Sequence, residues 1–294
     1  MLIFNSGLSR NFDGPGERLI FYLKGCNFRC DWCASPESIS SYPQLLYHAG
    51  RNNDINGEQC PEKAYSAAGT LDRSKCGTCG SFACVKVWKN PAFELAGEEI
   101  TPENVLSRVR EMRDFIDGVT FGGGEPTLQA EELAECCMLL NREGIHCAME
   151  SNASTSAFQS MIGKVDLLYA DLKTLDPHIA RERMASDISK VAENLKYAAV
   201  NQKEFILRIP VIRDVNTQES AQQQLVSFCG RLNRLRPDKP LEVELLRQHH
   251  LGAPKYEALG SVYKLLNTQV ASEKDVLDFA EQLKRGGIVV RYFI

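Results

Sequence analysis

The sequence predicts an α/β protein, with a parallel sheet curved into a partial (β/α)6 barrel and interrupted early by a small cysteine-rich insertion. Two observations carry this. From about residue 98 onward, short apolar β-type runs alternate with stretches of helical periodicity. Alternation of that kind gives parallel strands joined by right-handed crossovers. Residues 34–97, by contrast, are rich in Gly, Pro, Ser and Asn and carry four cysteines, with little periodicity.

Residues 18–23 form the first β-type run, and a cysteine loop follows at once. Residues 34–97 read as an insertion held by metal rather than by a core, which leaves 1–33 and 98–294 as the barrel. Thr101-Pro102-Glu103 starts a helix with an N-cap residue, a proline at its first position and an acid in its first turn. Val105, Val109, Met112 and Ile116 share its apolar face. Residues 118–121 are a strand ending in a glycine-rich loop. Leu133, Cys137 and Leu140 mark the next helix, and 145–149 and 165–172 are two further strands. A helix over 188–200 precedes a strand over 204–211. Leu225, Phe228, Cys229 and Leu232 line another helix face, and 241–246 is again a strand. A last helix over 272–284 leads to a β-type ending, 287–294. Cys136, Cys137, Cys147 and Cys229 fall on apolar faces of these elements and are expected in the core.

Composition narrows the function classes. The net charge of −4, with no basic blocks, does not suit a nucleic-acid surface. No run approaches the ~20 apolar residues of a membrane span. The first residues lack the basic start of a signal peptide. A reducing cytoplasm is therefore expected, where eleven cysteines serve as metal ligands and core thiols rather than disulfides.

The densest chemistry lies in Gly25-Cys26-Asn27-Phe28-Arg29-Cys30-Asp31-Trp32-Cys33. Three thiolates on one short loop can hold three corners of a cubic iron–sulfur cluster, and the fourth iron then stays open to another ligand. A pure electron carrier would close all four corners. The C-x3-C-x2-C spacing, with an aromatic residue before its last cysteine, resembles the radical S-adenosylmethionine (SAM) enzymes. The resemblance implies a 4Fe–4S cluster that binds SAM and cleaves it to methionine and a 5′-deoxyadenosyl radical. It also implies the partial barrel already read from the pattern, with functional residues at the C-terminal strand ends.

Other motifs extend the resemblance. Gly123-Gly124-Glu125-Pro126 lets main chain approach a ligand closely and, in that family, faces the methionine end of SAM. Alone, such a run also makes an ordinary turn. Asp171-Leu172-Lys173 puts two polar heads on one face of a strand end and resembles a SAM-contacting segment of the glycyl-radical-enzyme activases. Glu150-Ser151-Asn152 resembles another, with Ala153 where that family has glycine. Glu150 and Asp171, if close, would need a positive partner such as a monovalent cation. Arg208, in Arg208-Ile209-Pro210, offers a fork of donors for the SAM carboxylate. His249, in the run to Leu251-Gly252 with Lys255-Tyr256, aligns with a histidine near SAM. Trp32 and Ala34 are expected beside the cofactor. Asp13, in Asp13-Gly14-Pro15-Gly16-Glu17-Arg18, matches a residue that seats the target's peptide.

Cys60, Cys76, Cys79 and Cys84 form a second set, in a stretch expected to lack a core. Cys60-Pro61 suits ferredoxin-like ligation of one auxiliary 4Fe–4S cluster, while Cys-x2-Cys serves a four-thiolate zinc site equally well. The resemblance implies an activase that removes a hydrogen atom from a backbone glycine of a glycyl radical enzyme, fed by a donor such as flavodoxin or ferredoxin. Its alternatives are a radical SAM enzyme for a small molecule or short peptide, and a non-catalytic metal-stabilised or electron-transfer module.

Overall fold

A computed structural model describes residues 1–51, 60–65, 70–76, 79–87 and 89–294. The rest of the expected insertion, including Gly77 and Thr78, lies outside the described residues. The strands are β1 (Leu2–Arg10), β2 (Glu17–Leu23), β3 (Gln44–Tyr47), β4 (Phe93–Ala96), β5 (Glu98–Glu99), β6 (Gly118–Gly123), β7 (His146–Ser151), β8 (Leu167–Asp171), β9 (Glu204–Val211), β10 (Glu242–Arg247) and β11 (Val289–Phe293). The helices are α1 (Arg73–Cys76), α2 (Ala83–Lys86), α3 (Pro102–Glu111), α4 (Ala130–Arg142), α5 (Phe158–Met161), α6 (Pro177–Met184), α7 (Val191–Asn201), α8 (Glu219–Arg234), α9 (Ala253–Ala258) and α10 (Glu273–Arg285).

Nine strands form one sheet in the order β11-β10-β9-β8-β7-β6-β2-β1-β5. From β2 through β11 every pairing is parallel, as the strand–helix alternation predicts. The first strand, β1, was not legible in the sequence. It runs antiparallel to β2, pairing Ile3 with Leu23 and Arg10 with Glu17, and carries β5 on its other edge. Its sequence is too polar to read as a β run, and its place comes from β2.

Strand alternation sorts the two faces of the sheet. Val119, Leu168 and Leu207 meet Val105, Leu133, Leu195, Leu225 and Val276 from the helices in one core. Cys136, Cys137, Cys147 and Cys229 are fully buried, as expected. Neighbouring residues on the strands turn the other way: Ala148, Leu167, Tyr169 and Ile206 form a separate cluster. This second face is largely polar. The buried Arg18 donates through Nε to Thr120 Oγ1 at 3.1 Å, and the Arg208 guanidinium lies 3.8 Å from the Tyr169 ring centroid. The β1–β2 turn crosses this face. Phe12 O accepts from Arg208 Nη2 at 2.5 Å, Asp13 O accepts from Thr120 Oγ1 at 2.6 Å, and the Phe12 and Phe293 rings lie 4.9 Å apart.

Local chemistry sets the helix starts. Thr101 Oγ1 accepts from Asn104 N ahead of Pro102, Asp176 accepts from His178 N and Ile179 N, and Ser272 and Asp275 form a capping box. The strands β3 and β4 pair antiparallel at the base of the cysteine-rich stretch. That stretch has an apolar cluster of its own: Tyr47, Tyr65 and Phe93 lie 5.1 to 5.9 Å apart, packed with Leu45 and Ala92. The stretch therefore has a small core of its own, contrary to the expectation from sequence. Among the described residues, no helix is long and apolar enough to cross a membrane.

Candidate active site

One cavity of about 280 Å³ opens at the C-terminal ends of the parallel strands. It is lined by Cys26, Cys30, Trp32, Cys33, Ala34, Gly123, Gly124, Glu150, Ser151, Asp171, Lys173 and His249. Twelve of the residues singled out from sequence thus converge on one space. Phe28, Asn152, Pro210, Ile212 and Gln248 line it as well. Pro210 and Asn152 sit inside motifs already noted; Phe28 and Gln248 carried no signal of their own.

The cysteine loop is pinned at several points. Arg29 N and Asp31 N donate to Met184 O and Arg183 O at the end of α6, at 2.8 and 2.9 Å. The Asp31 carboxylate accepts from Arg183 Nε at 3.0 Å and from Lys264 Nζ at 2.8 Å. At the loop's start, Gly25 N and Cys26 N donate to Ser38 O and Ile39 O at 2.7 and 3.1 Å. Asn152 Nδ2 donates to Asn27 Oδ1 at 3.0 Å, joining the loop to the end of β7.

The three thiols are free and buried or partly buried. Burial raises all three, Cys26 to about 11, while the Lys173 charge opposes the rise at each. Lys173 itself is held charged. Burial works against the ammonium, but the charge and the hydrogen bond of Asp171, 2.5 Å away, oppose it.

The glycine pair has a structural reason. A Cβ on Gly124 would stand 2.1 Å from Gly25 O and 3.0 Å from Ser38 O, and one on Gly123 would stand 2.6 Å from Leu23 O. The glycines let the β6 loop press on the backbone at the root of the cysteine loop, and their own main chain then lines the cavity. Glu125 does not line it. Fully buried, its Oε1 accepts from Ser151 Oγ at 2.8 Å and from Thr127 N at 3.1 Å, and its Oε2 accepts from Asn152 N at 2.6 Å. It ties the β6 loop to the end of β7.

Arg208 also stays out of the cavity lining. Its Nε donates to Glu244 Oε2 at 2.8 Å, Nη1 to Glu150 Oε1, and Nη2 to Phe12 O. Its strand could be read from the sequence, but not these partners, which come from β7, β10 and the β1–β2 turn. Leu172 is wholly in the core. The positive partners that Glu150 and Asp171 require are present as Arg208 and Lys173, which meets the charge argument for a cation there. Burial pushes Glu150 up to about 7; Arg208 opposes the rise, and Asp13 and Asp171 add to it. Asp13 lies on the β1–β2 turn and accepts from Ser9 Oγ at 2.6 Å. Partial desolvation and the neighbouring His250 hold His249 below its ordinary value, and its Nδ1 accepts from Leu251 N at 3.3 Å, which leaves Nε2 to carry the proton of the neutral ring.

Three soft thiol donors on one wall of a cavity suit an iron–sulfur cluster. Among the described residues, no three His, Cys, Asp or Glu side chains converge on the position of a single ion. A cubane instead places each thiolate on a different iron.

Comparison with known proteins agrees with this geometry. The model of the Radical SAM superfamily matches residues 20–222. The (2S)-3-sulfopropanediol dehydratase activating enzyme of Klebsiella oxytoca is 30% identical, over 98% of this chain and 95% of that protein. The indoleacetate decarboxylase activating enzyme of Tractidigestivibacter scatoligenes is 29% identical, over 98% and 95%. QueE from Escherichia coli shares the fold, with a TM-score of 0.51 at 14% identity, covering 99% of this chain and 93% of that one. The chain belongs to the radical SAM superfamily and, within it, to the glycyl-radical-enzyme activating enzymes.

Cys60, Cys76, Cys79 and Cys84 come together at a second, small cavity between α1, α2 and the β3–β4 hairpin. All four are free thiols. Burial raises Cys84 to about 11, with the other three adding to it. Burial would also raise Cys79, but hydrogen bonds from Ser81 and the backbone of Phe82 outweigh it and lower it.

Proposed function

We infer that this enzyme activates a glycyl radical enzyme by abstracting a hydrogen atom from a backbone glycine of that partner. The observation that carries this is the meeting of Cys26, Cys30 and Cys33 with the β6, β7 and β8 ends in one cavity, in a chain matched almost end to end by activating enzymes. When bound there, a 4Fe–4S cluster and SAM would supply the reductive radical chemistry that removal of the glycine hydrogen needs.

The chain's own residues hold, orient and shield. Cys26, Cys30 and Cys33 would ligate three irons. Trp32, Ala34, Gly123, Gly124, Ser151, Asp171, Lys173 and His249 would hold SAM, with Lys173 charged and His249 donating from Nε2. Glu125, Leu172 and Arg208 act one step back, by fixing the strand ends that carry those groups. Asp13 would meet the incoming peptide at the β1–β2 turn. A low-potential donor of the flavodoxin or ferredoxin type would reduce the cluster. The four insert cysteines would hold an auxiliary 4Fe–4S cluster, favoured over zinc by Cys60-Pro61.

Anaerobic reconstitution with iron, sulfide, SAM and dithionite tests the reading. The expected result is methionine and 5′-deoxyadenosine, with a glycyl doublet by electron paramagnetic resonance in the glycyl radical enzyme encoded beside this one. Absence of both 5′-deoxyadenosine and the glycyl doublet would sink it.

A further inference from the structure

The four-cysteine site and the catalytic cysteine loop lie on separate parts of the chain, yet one short helix touches both. At the insert end, Arg73 stands one turn before Cys76 in α1. Its guanidinium reaches out of the insert: Nη2 donates to Ala258 O in α9 at 2.5 Å, and Nη1 to Leu45 O in β3 at 3.0 Å. Gly260 makes room for it. A Cβ there would stand 2.7 Å from Arg73 Nε, and the residue has a φ of +70°. Leu46 and Ala96 of the hairpin pack with Ala258 in a buried cluster, so the joint is apolar as well as hydrogen-bonded.

At its other end, α9 grips the catalytic loop twice. Gly252, the residue just before the helix, lies against the loop's exit, with its would-be Cβ 2.8 Å from Cys33 O and 3.0 Å from Ala34 O. Lys255 Nζ donates to Glu37 Oε1 at 2.5 Å. Glu37 belongs to the 3-10 turn Pro36–Ser38, whose Ser38 O accepts from Gly25 N at the loop's entry. Lys24 Nζ also donates to Glu37 O, at 2.5 Å. Arg73 thus holds a six-residue helix whose remaining contacts fix both ends of the Cys26–Cys33 loop.

We propose that Arg73 is a positioning residue that makes the setting of the catalytic cysteine loop depend on the four-cysteine insert site. The proposal rests on the activase reading above. When the insert site is filled, Cys76 fixes α1, α1 presents Arg73 to Ala258 O, and α9 holds Gly252 and Lys255 against the loop. When the site is empty, the clasp loosens and the SAM-facing wall at Cys33, Ala34 and His249 loses its support. The insert then contributes to SAM binding through packing, whether or not electrons pass through it.

The test compares anaerobically reconstituted parent protein with Arg73→Met, Arg73→Lys, Cys79→Ala and the Arg73→Met/Cys79→Ala double variant. SAM affinity is read by equilibrium binding, and the exposure of α9 by hydrogen exchange of its amides. Arg73→Met and Cys79→Ala should each weaken SAM binding about five- to tenfold, within the usual range for coupled sites. In Arg73→Met the rate of SAM cleavage at saturating SAM should change by less than about threefold. Exchange of the α9 amides should quicken in both. Arg73→Lys, which can still reach one carbonyl, should recover part of the affinity. Because one chain of contacts carries both effects, the double variant should be no worse than the poorer single.

Arg73→Met binding SAM as tightly as the parent would overturn the proposal, as would effects that multiply in the double variant. If Arg73→Met does not fold, Cys79→Ala decides alone: faster α9 exchange supports the coupling and unchanged exchange overturns it. A parent protein that binds no SAM counts against the activase reading instead, and the α9 exchange still decides the coupling.

Discussion

Gly252 and Cys33 meet backbone to backbone: a Cβ on Gly252 would stand 2.8 Å from the Cys33 carbonyl oxygen and 2.9 Å from the Cα of Ala34. Neither neighbour is a flexible side-chain tip that could swing aside. Gly252→Ala should therefore cost about 1–3 kcal/mol of stability, the usual penalty for overpacking. Urea unfolding measures that cost, and SAM cleavage should fall with it because the strain lands on the cysteine loop. An alanine variant as stable and active as the parent would contradict the close approach.

Glu150 gives a pH signature. Burial lifts its carboxyl from 4.5 to about 7 in the folded protein. The unfolded chain thus loses this proton at lower pH than the folded one. A group raised in this way favours the folded state below its unfolded pKa, and that contribution is lost as pH rises through about 7. Glu150→Gln should remove this slope. Urea midpoints from pH 4.5 to 8 should fall with pH more steeply for the parent than for the variant, and identical slopes would refute the assignment.

Lys173 is a partly buried cation between Asp171 and the Cys30 and Cys26 thiols. Lys173→Met keeps the length of the side chain and removes the charge. The cleavage of SAM should drop about 10- to 100-fold, as expected for loss of a charge-assisted contact. Iron content should stay near the parent's, since all three thiols remain. Full activity in Lys173→Met would remove Lys173 from the site.

The insert cysteines can be tested by counting metal. With a cubane at each site the parent should hold about eight irons per chain, and Cys76→Ala about four. Zinc in place of the missing irons would assign the second site to a closed tetrahedral ion instead.

Much of this was legible because the chemistry is local in sequence. Cys26, Cys30 and Cys33 share eight positions, and Gly123-Gly124 and Asp171-x-Lys173 each end a strand that periodicity had marked. Parallel strands all deliver their C-terminal ends to one edge of the sheet, so three separate motifs could be expected to meet without any contact being known. Arg208 shows where that reasoning stops. Its place on β9 could be read, but its pairing with Glu150 and Glu244 depends on which strands flank β9 and how far the sheet curves. Glu125 is similar: its partners Ser151 and Asn152 come from the next strand, and they turn a presumed ligand-facing acid into a buried brace.

By itself, the sequence determined the class of chemistry and the alternation of strands and helices along the chain, because ligand spacing and residue periodicity are properties of neighbours along the chain. Only the tertiary structure decided that β1 joins the sheet, that α9 lies between the two cysteine sites, and that Arg73 joins them. Those contacts join residues far apart in the chain, Arg73 and Ala258 being 185 positions apart. No local pattern encodes them; they follow from how the packed elements share space.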